Sequence, residues 1–171
     1  ADPMVLVVND QQPFKTLKEF TDAAKAKPND LIFSSSGLHG ALHLPMALFL
    51  KAAGLELKHL PTNGGGPALT ALLGNNSQAL CSSIAAANVH LRSGKVRALA
   101  CFGAQRAPAL PDVPTMKELG YNIEFYLWVG MFAPKGTPDN VITTMRQASK
   151  QAAADDKFVQ AMKNLGQDVA Y

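Results

Sequence analysis

Two glycine-bearing turns hold most of the chemistry this sequence could perform. The first, Ser34-Ser35-Ser36-Gly37-Leu38-His39-Gly40-Ala41, follows an apolar run and precedes a helical pattern. The second, Thr62-Asn63-Gly64-Gly65-Gly66, repeats the arrangement after the next apolar run. Glycine lets main chain approach a ligand closely. Amides at a helix start, reinforced by the helix dipole, attract anions, and the serine hydroxyls add adjustable donors. Such a pair of turns suits the capture of a small anion and needs no reacting side chain. Each turn taken alone also fits an ordinary strand-to-helix connection capped by serine.

Other chemistries fit less well. The second turn is no Walker loop, because no Gly-Lys-Ser/Thr follows it, and the dinucleotide glycine spacing is absent. His39 and His43 stand four apart, a spacing that can place two imidazoles on zinc from one helix face. No acidic residue accompanies them in the H-E-x-x-H manner and the cysteines lie in other runs, so no metal is expected. A nucleophilic Ser36 or Ser82 would need a histidine and an orienting carboxylate. There is no G-x-S-x-G elbow, and acidic residues are scarce around both turns. A hydrolase- or transferase-like enzyme using Ser36 and His39 is therefore the alternative to a binding protein; no catalytic residue and no cofactor is assigned. Phe125, Tyr126, Trp128 and Phe132 either floor a pocket or belong to a core.

Composition narrows the class. In 171 residues, 47% are hydrophobic and 17% charged, enough apolar material for a core without staples. Sixteen basic against thirteen acidic side chains leave a net +3, too small and dispersed for a nucleic-acid footprint. No apolar stretch is long enough to cross a membrane as a helix. The start carries no signal peptide, and Ala1-Asp2-Pro3 before Met4 reads as a remnant of recombinant expression. Cys81 and Cys101 sit in apolar strand-like runs, either as buried thiols or as a disulfide between neighbouring strands.

The elements that must position the turns alternate between strand and helix. Residues 4–8 form a continuous apolar run suited to a strand buried on both faces. Thr16 and Glu19 make a capping box ahead of Leu17, Phe20, Thr21 and Ala24 at helical spacing, and Pro28-Asn29-Asp30 ends that helix. A strand over 31–35 leads into the first turn. The next helix, 42–53, starts close to His43 because Pro45 is tolerated only in a first turn, and Gly54 closes it. A strand over 57–60 leads into the second turn and a helix over 68–73. Strand 78–83, helix 85–92 and strand 96–102 continue the alternation.

A loop with Pro108, Pro111 and Pro114 follows, then a short helix over 116–119 stopped by Gly120. A long aromatic strand is expected over 124–133. Thr137-Pro138 opens a helix with proline at its first position and a buried stripe of Val141, Met145, Ala148 and Ala152. Phe158, Met162 and Leu165 mark a last helix before Gly166. This order predicts an α/β fold with a mainly parallel sheet, its ligand held at the carboxyl ends of the strands.

Several segments together resemble one family: PMVLVVN, KTLKEFTDAAKAKP, SSSGLHGALHL, GGGPALTALLGN, SGKVRALA, QRAPALPDVPTMKELGY and WVGMFAPKGTP. In this order they are similar to the substrate-binding proteins of tripartite tricarboxylate transporters, the Bug receptors, over residues 3 to 166. The resemblance implies a periplasmic, two-lobed receptor of the type II periplasmic binding fold. Such a receptor grips a dicarboxylate or amino acid through amides, hydroxyls and bridging waters, and delivers it to membrane permease subunits. It assigns ligand binding to Ser35, Ser36, Gly37, His39, Gly40, Ala41 and His43 in the first turn, and to Thr62, Asn63, Gly64 and Gly65 in the second.

Two segments depart from the family's habit. Thr62-Asn63-Gly64 stands where members usually have Tyr-Lys-Gly, which removes a cation, and Gln78 or its neighbours stand where members have Asp. Members also carry a lobe segment ahead of the PMVLVVN run. The resemblance therefore divides the chain into residues 1–3, a ligand-binding lobe over 4–124, and a segment over 125–171 that returns to an incomplete other lobe. A lone jaw is expected to bind weakly if at all. Uncovered Val141, Met145, Phe158 and Met162 would favour a homodimer.

Overall fold

The computed structural model describes residues 2–128, 130–164 and 169. The chain divides into two compact units, Pro3–Leu127 and a second one made of the first two residues with Trp128 onward. Asp2 and Pro3 belong to the first strand, β1 (Asp2–Asn9). It is followed by α1 (Leu17–Ala26), β2 (Ile32–Ser35), α2 (Leu44–Ala53), β3 (Lys58–Pro61) and α3 (Gly65–Leu73). Then come β4 (Ala79–Ser83), α4 (Ile84–Arg92), β5 (Val96–Cys101) and β6 (Tyr126–Leu127).

The strands form one sheet in the order β3-β2-β4-β1-β5, with β6 also on β1. β2 pairs in parallel with both β3 and β4, whereas β1 runs antiparallel to β4 and to β5. Strands β2 to β5 thus share one direction and β1 runs against them, making the sheet mixed. The apolar run of β1 reports burial on both faces and carries no information about direction.

Alternation along β1 separates two cores. Met4, Leu6 and Val8 face Phe14, Phe20, Met46 and Phe49, under α1 and α2. Val5 and Val7 face Ala68, Leu72, Ile84 and Ala87, under α3 and α4. The same alternation settles the cysteines. Cys81 lies opposite Leu6 and Cys101 opposite Val5, so β1 stands between them and they point to different faces. Neither forms a disulfide, and burial pushes the Cys81 thiol well above its ordinary pKa.

Local signals act where the sequence places them. Thr16 Oγ1 accepts from Glu19 N at 3.2 Å and the Glu19 carboxylate accepts from Thr16 N at 3.3 Å, the reciprocal capping box. The buried face of α1 is Leu17, Phe20, Thr21 and Ala24. Thr16→Ala is expected to lower stability by about 0.5–2 kcal/mol, read as a shifted urea midpoint with unchanged slope. An unaltered midpoint would mean that packing alone holds α1. In α2, Pro45 sits in the first turn and Gly54 ends the helix in a left-handed conformation, φ 62°.

Two expected elements take another form. Residues 116–119 make a hydrogen-bonded turn, with Leu119 N on Thr115 O and Gly120 N on Lys117 O, and no regular helix. The Glu118 carboxylate shapes it by accepting from Thr115 N at 2.6 Å and from Arg106. The long strand expected over 124–133 shrinks to Tyr126–Leu127. Aromatic residues raise strand propensity, but a strand also needs a partner, and Trp128 and Phe132 are 67% and 83% exposed.

The second unit holds α5 (Asp139–Ala154) and α6 (Asp156–Asn164). Pro138 occupies the N-cap of α5, one place before the expected position. The stripe expected to be buried is uncovered: Val141 and Met145 are 45% and 44% exposed, and Ala148 and Ala152 are exposed as well. Helical periodicity marks an apolar face but cannot say whether a partner covers it. Phe132, Val141, Met145 and Phe158 line an open apolar groove in this unit. Leu165 and Gly166 lie outside the described residues.

Candidate ligand-binding site

Ser35 of β2 lies opposite Pro61 of β3, so both glycine-bearing turns leave the sheet side by side from the carboxyl ends of adjacent parallel strands. Thr62 joins them. Its amide donates to Ser35 O at 2.9 Å, and its hydroxyl proton is shared between Ser35 O at 2.9 Å and Gly64 O at 2.8 Å. A side chain on Gly37 would meet Thr62 O at 3.6 Å. Gly65 lies against Leu42, 3.4 Å from where its own Cβ would stand.

The backbone of these turns is unusual. Gly37 and Gly64 have φ of 122° and 121°, and His39, a non-glycine, has φ of 61°. Gly64 is the N-cap of α3 and contributes no side chain to it, so the first amides of α3 have no side-chain cap. The space beside Gly66 is open and Asn63 is exposed. The first turn is closed by its own hydrogen bonds, Gly40 N to Gly37 O at 3.3 Å and His43 N to Gly40 O at 2.9 Å. Ala41 follows, half-buried, before α2.

The three serines separate into different roles. Ser34 is fully buried, donates to Ala68 O at 2.9 Å and accepts from Ser77 Oγ at 2.8 Å, which ties β2 to α3. Ser35 is also fully buried, and its hydroxyl contacts Gly37 and His59. Only Ser36 keeps a hydroxyl without a partner among the described residues.

His59 is the residue that sequence reasoning missed. Nothing in Lys58-His59-Leu60-Pro61 distinguishes it, because its neighbours come from β2 and α2. Its ring stacks on Phe33 at 4.7 Å and lies 4.5 Å from His43, which in turn meets His39 at 5.8 Å. Burial, then the neighbouring His39, pushes the His43 pKa down; burial, then His43, does the same to His59. Both rings are therefore neutral near pH 7 and cannot serve as a carboxylate's counter-charge. No group of three or more His, Cys, Asp and Glu is placed to hold a metal among the described residues.

These depressed values set a pH dependence. Below the ordinary histidine pKa of 6.5 the unfolded chain binds protons that the folded chain refuses. Their contribution is therefore complete above that value and lost as pH falls through the lower, folded values. The melting temperature is expected to decline from about pH 7 toward about pH 5, with a flatter slope in His59→Phe. Calorimetry that shows it rising over this interval would contradict the burial of these rings.

No hydrogen bond joins Ser36 to His39, and the serine–histidine pair that does form, Ser35 Oγ with His59 Nε2 at 2.7 Å, is closed off because Ser35 is 0% exposed. Among the described residues no carboxylate hydrogen-bonds to the His59 ring.

The α/β unit, with its two glycine-bearing turns at the carboxyl ends of neighbouring strands, has the type II periplasmic binding fold. The chain belongs to the tripartite tricarboxylate transporter receptor family, TctC, whose profile matches residues 1–171. It is 35% identical over 166 residues to a UPF0065 protein in the tcbD-tcbE intergenic region of Pseudomonas sp. strain P51, covering 96% of this chain and 49% of that protein. Among solved structures it resembles the periplasmic binding protein BugD at 34% identity and a TM-score of 0.92, over 98% of this chain and 56% of that one. It likewise resembles MatC from Rhodopseudomonas palustris with bound malate, at 30% identity and a TM-score of 0.93, over 98% and 57%. The chain spans about half the length of the curated relatives it matches.

Proposed function

We propose that this chain supplies the gripping lobe of a periplasmic receptor for a small organic carboxylate, of dicarboxylate or amino-acid type. The receptor hands its ligand, chemically unchanged, to the membrane permease subunits of a tripartite tricarboxylate transporter. The observation that carries this reading is the pairing of the two turns, Ser36-Gly37-Leu38-His39-Gly40-Ala41 and Thr62-Asn63-Gly64-Gly65, beside strands joined in parallel. Main-chain amides and side-chain donors meet the anion there, with His43 as a donor rather than a charge. Malate in MatC is the model for the ligand class.

A titration of the 15N-labelled chain with malate, succinate and glutamate tests this. Amide shifts confined to Gly37, Gly40, Gly64 and Gly65, with weak affinity in the millimolar range, are expected, and the ligand should be recovered intact. Shifts elsewhere, or ligand turnover, would overturn the assignment. Nanomolar stoichiometric binding by this chain alone would show that no second lobe is needed to close on the ligand. We further propose that the apolar face of α5 and α6 supports self-association, which sedimentation at increasing concentration would register.

A further inference from the structure

We propose that His59 is the positioning residue of the first turn: acting through the Ser35 hydroxyl, it holds the backbone of Gly37 in the shape that presents the turn to a ligand. The ligand part of this inference rests on the receptor reading above; the positioning part does not.

The Ser35 hydroxyl has three neighbours. Gly37 N donates to it at 3.2 Å, Gly37 O lies 3.1 Å away and His59 Nε2 lies 2.7 Å away. A hydroxyl has one proton to give and two lone pairs to offer. All three contacts are satisfied together in only one arrangement. The Ser35 proton goes to Gly37 O, and Oγ accepts from both Gly37 N–H and His59 Nε2–H. With the proton on Nδ1 instead, Ser35 would have to donate to His59, and the Gly37 carbonyl would lose its tie. Water cannot replace a missing partner easily, because Ser35 is completely buried.

The imidazole is itself held. Register places His59 opposite Phe33, two residues before Ser35 on the same face of β2, and the rings stack at 4.7 Å with 15° between planes. His43 packs against both rings, 4.5 Å from His59 and 5.9 Å from Phe33. Gly37 needs such a restraint. At φ 122° it occupies a region few residues enter, and glycine's freedom would otherwise let it leave. The two Thr62 bonds to Ser35 O fix the residue from its main-chain side, and His59 fixes it from its side chain.

Amide hydrogen exchange on the 15N-labelled chain tests the inference through His59→Phe, His59→Gln, Ser35→Ala and the Ser35→Ala/His59→Phe double variant. Phenylalanine keeps the stack on Phe33 and removes the donor. It should accelerate Gly37 exchange about tenfold while leaving the β1 and β4 amides unchanged, as expected for loss of one local hydrogen bond. Glutamine restores a donor and should remain within about threefold of the parent chain. Ser35→Ala, which also removes the acceptor of the Gly37 amide, should accelerate exchange at least as much, and the double variant should match Ser35→Ala, showing that His59 acts only through the Ser35 hydroxyl. In the malate titration, Gly37 and Gly40 should respond about tenfold more weakly in His59→Phe.

Parent-like Gly37 exchange in His59→Phe, or additive effects in the double variant, would overturn the inference. Should His59→Phe fail to fold, His59→Leu, which also lacks a donor, decides, and an unchanged Gly37 amide there is equally fatal. If Gly37 exchange responds as expected but the parent chain takes up no malate, the receptor reading fails and the positioning role stands.

Discussion

Phe49→Ala is expected to remove about 3–5 kcal/mol of stability, a large share of the roughly 5–15 kcal/mol that holds a typical domain folded. Phe49 is completely buried in the core beneath α1 and α2. Its ring stacks on Phe20 at 6.4 Å and meets the edge of Tyr121 at 5.2 Å, and Phe20 in turn meets Phe14 at 5.2 Å. One side chain thus connects α2 to α1 and to the turn after residue 115. Removing it leaves a ring-sized void that rigid strands on the other side cannot fill. Urea denaturation followed by circular dichroism measures the loss. Phe158→Ala is the control: that ring is 43% exposed, and its removal should alter stability by no more than about 0.5 kcal/mol. Similar losses in the two variants would mean that the first unit is not organised around this aromatic row.

Gly64→Ala should have the largest effect on ligand capture, at least a tenfold weakening of the malate response in the 15N titration. At φ 121° and ψ 171° Gly64 occupies a region nearly closed to residues with a side chain, and forcing one there costs about 1–3 kcal/mol. The chain would relieve that strain by rotating the turn, which would turn the first amides of α3 away from the neighbouring turn. Gly66→Ala separates strain from bulk. Gly66 is inside α3 with open space around it, so alanine should stabilise the helix by about 0.5–1 kcal/mol. Binding that survives Gly64→Ala undiminished would remove the second turn from the site.

Much of this was legible in the residues because it depends on near neighbours in sequence. The capping box at Thr16 and Glu19, the glycine stop at Gly54 and the glycine turns after β2 and β3 each need only a few consecutive residues. The PDVPTMKELG and WVGMFAPKGTP segments pointed to the receptor family, which the match over the whole chain shows. The readings that changed each required information from a distant segment. Aromatic residues over 124–133 looked like a strand, but among the described residues only Tyr126–Leu127 pairs with a neighbour. The stripe on α5 was visible as periodicity, but not whether anything covers it.

The site divides along the same line. The amino-acid order alone determined where main chain could approach a ligand, because glycine's freedom and a helix start are local properties. Tertiary structure alone decided that β1 runs against its neighbours, that Cys81 and Cys101 face opposite cores, and that Ser34 and Ser35 are enclosed while Ser36 stays open. It also brought His59 to Ser35 across 24 residues. Hydrogen bonds and ring contacts of this kind depend on which strands lie side by side, and strand order is chosen by burial of the whole sheet rather than by any short run of residues.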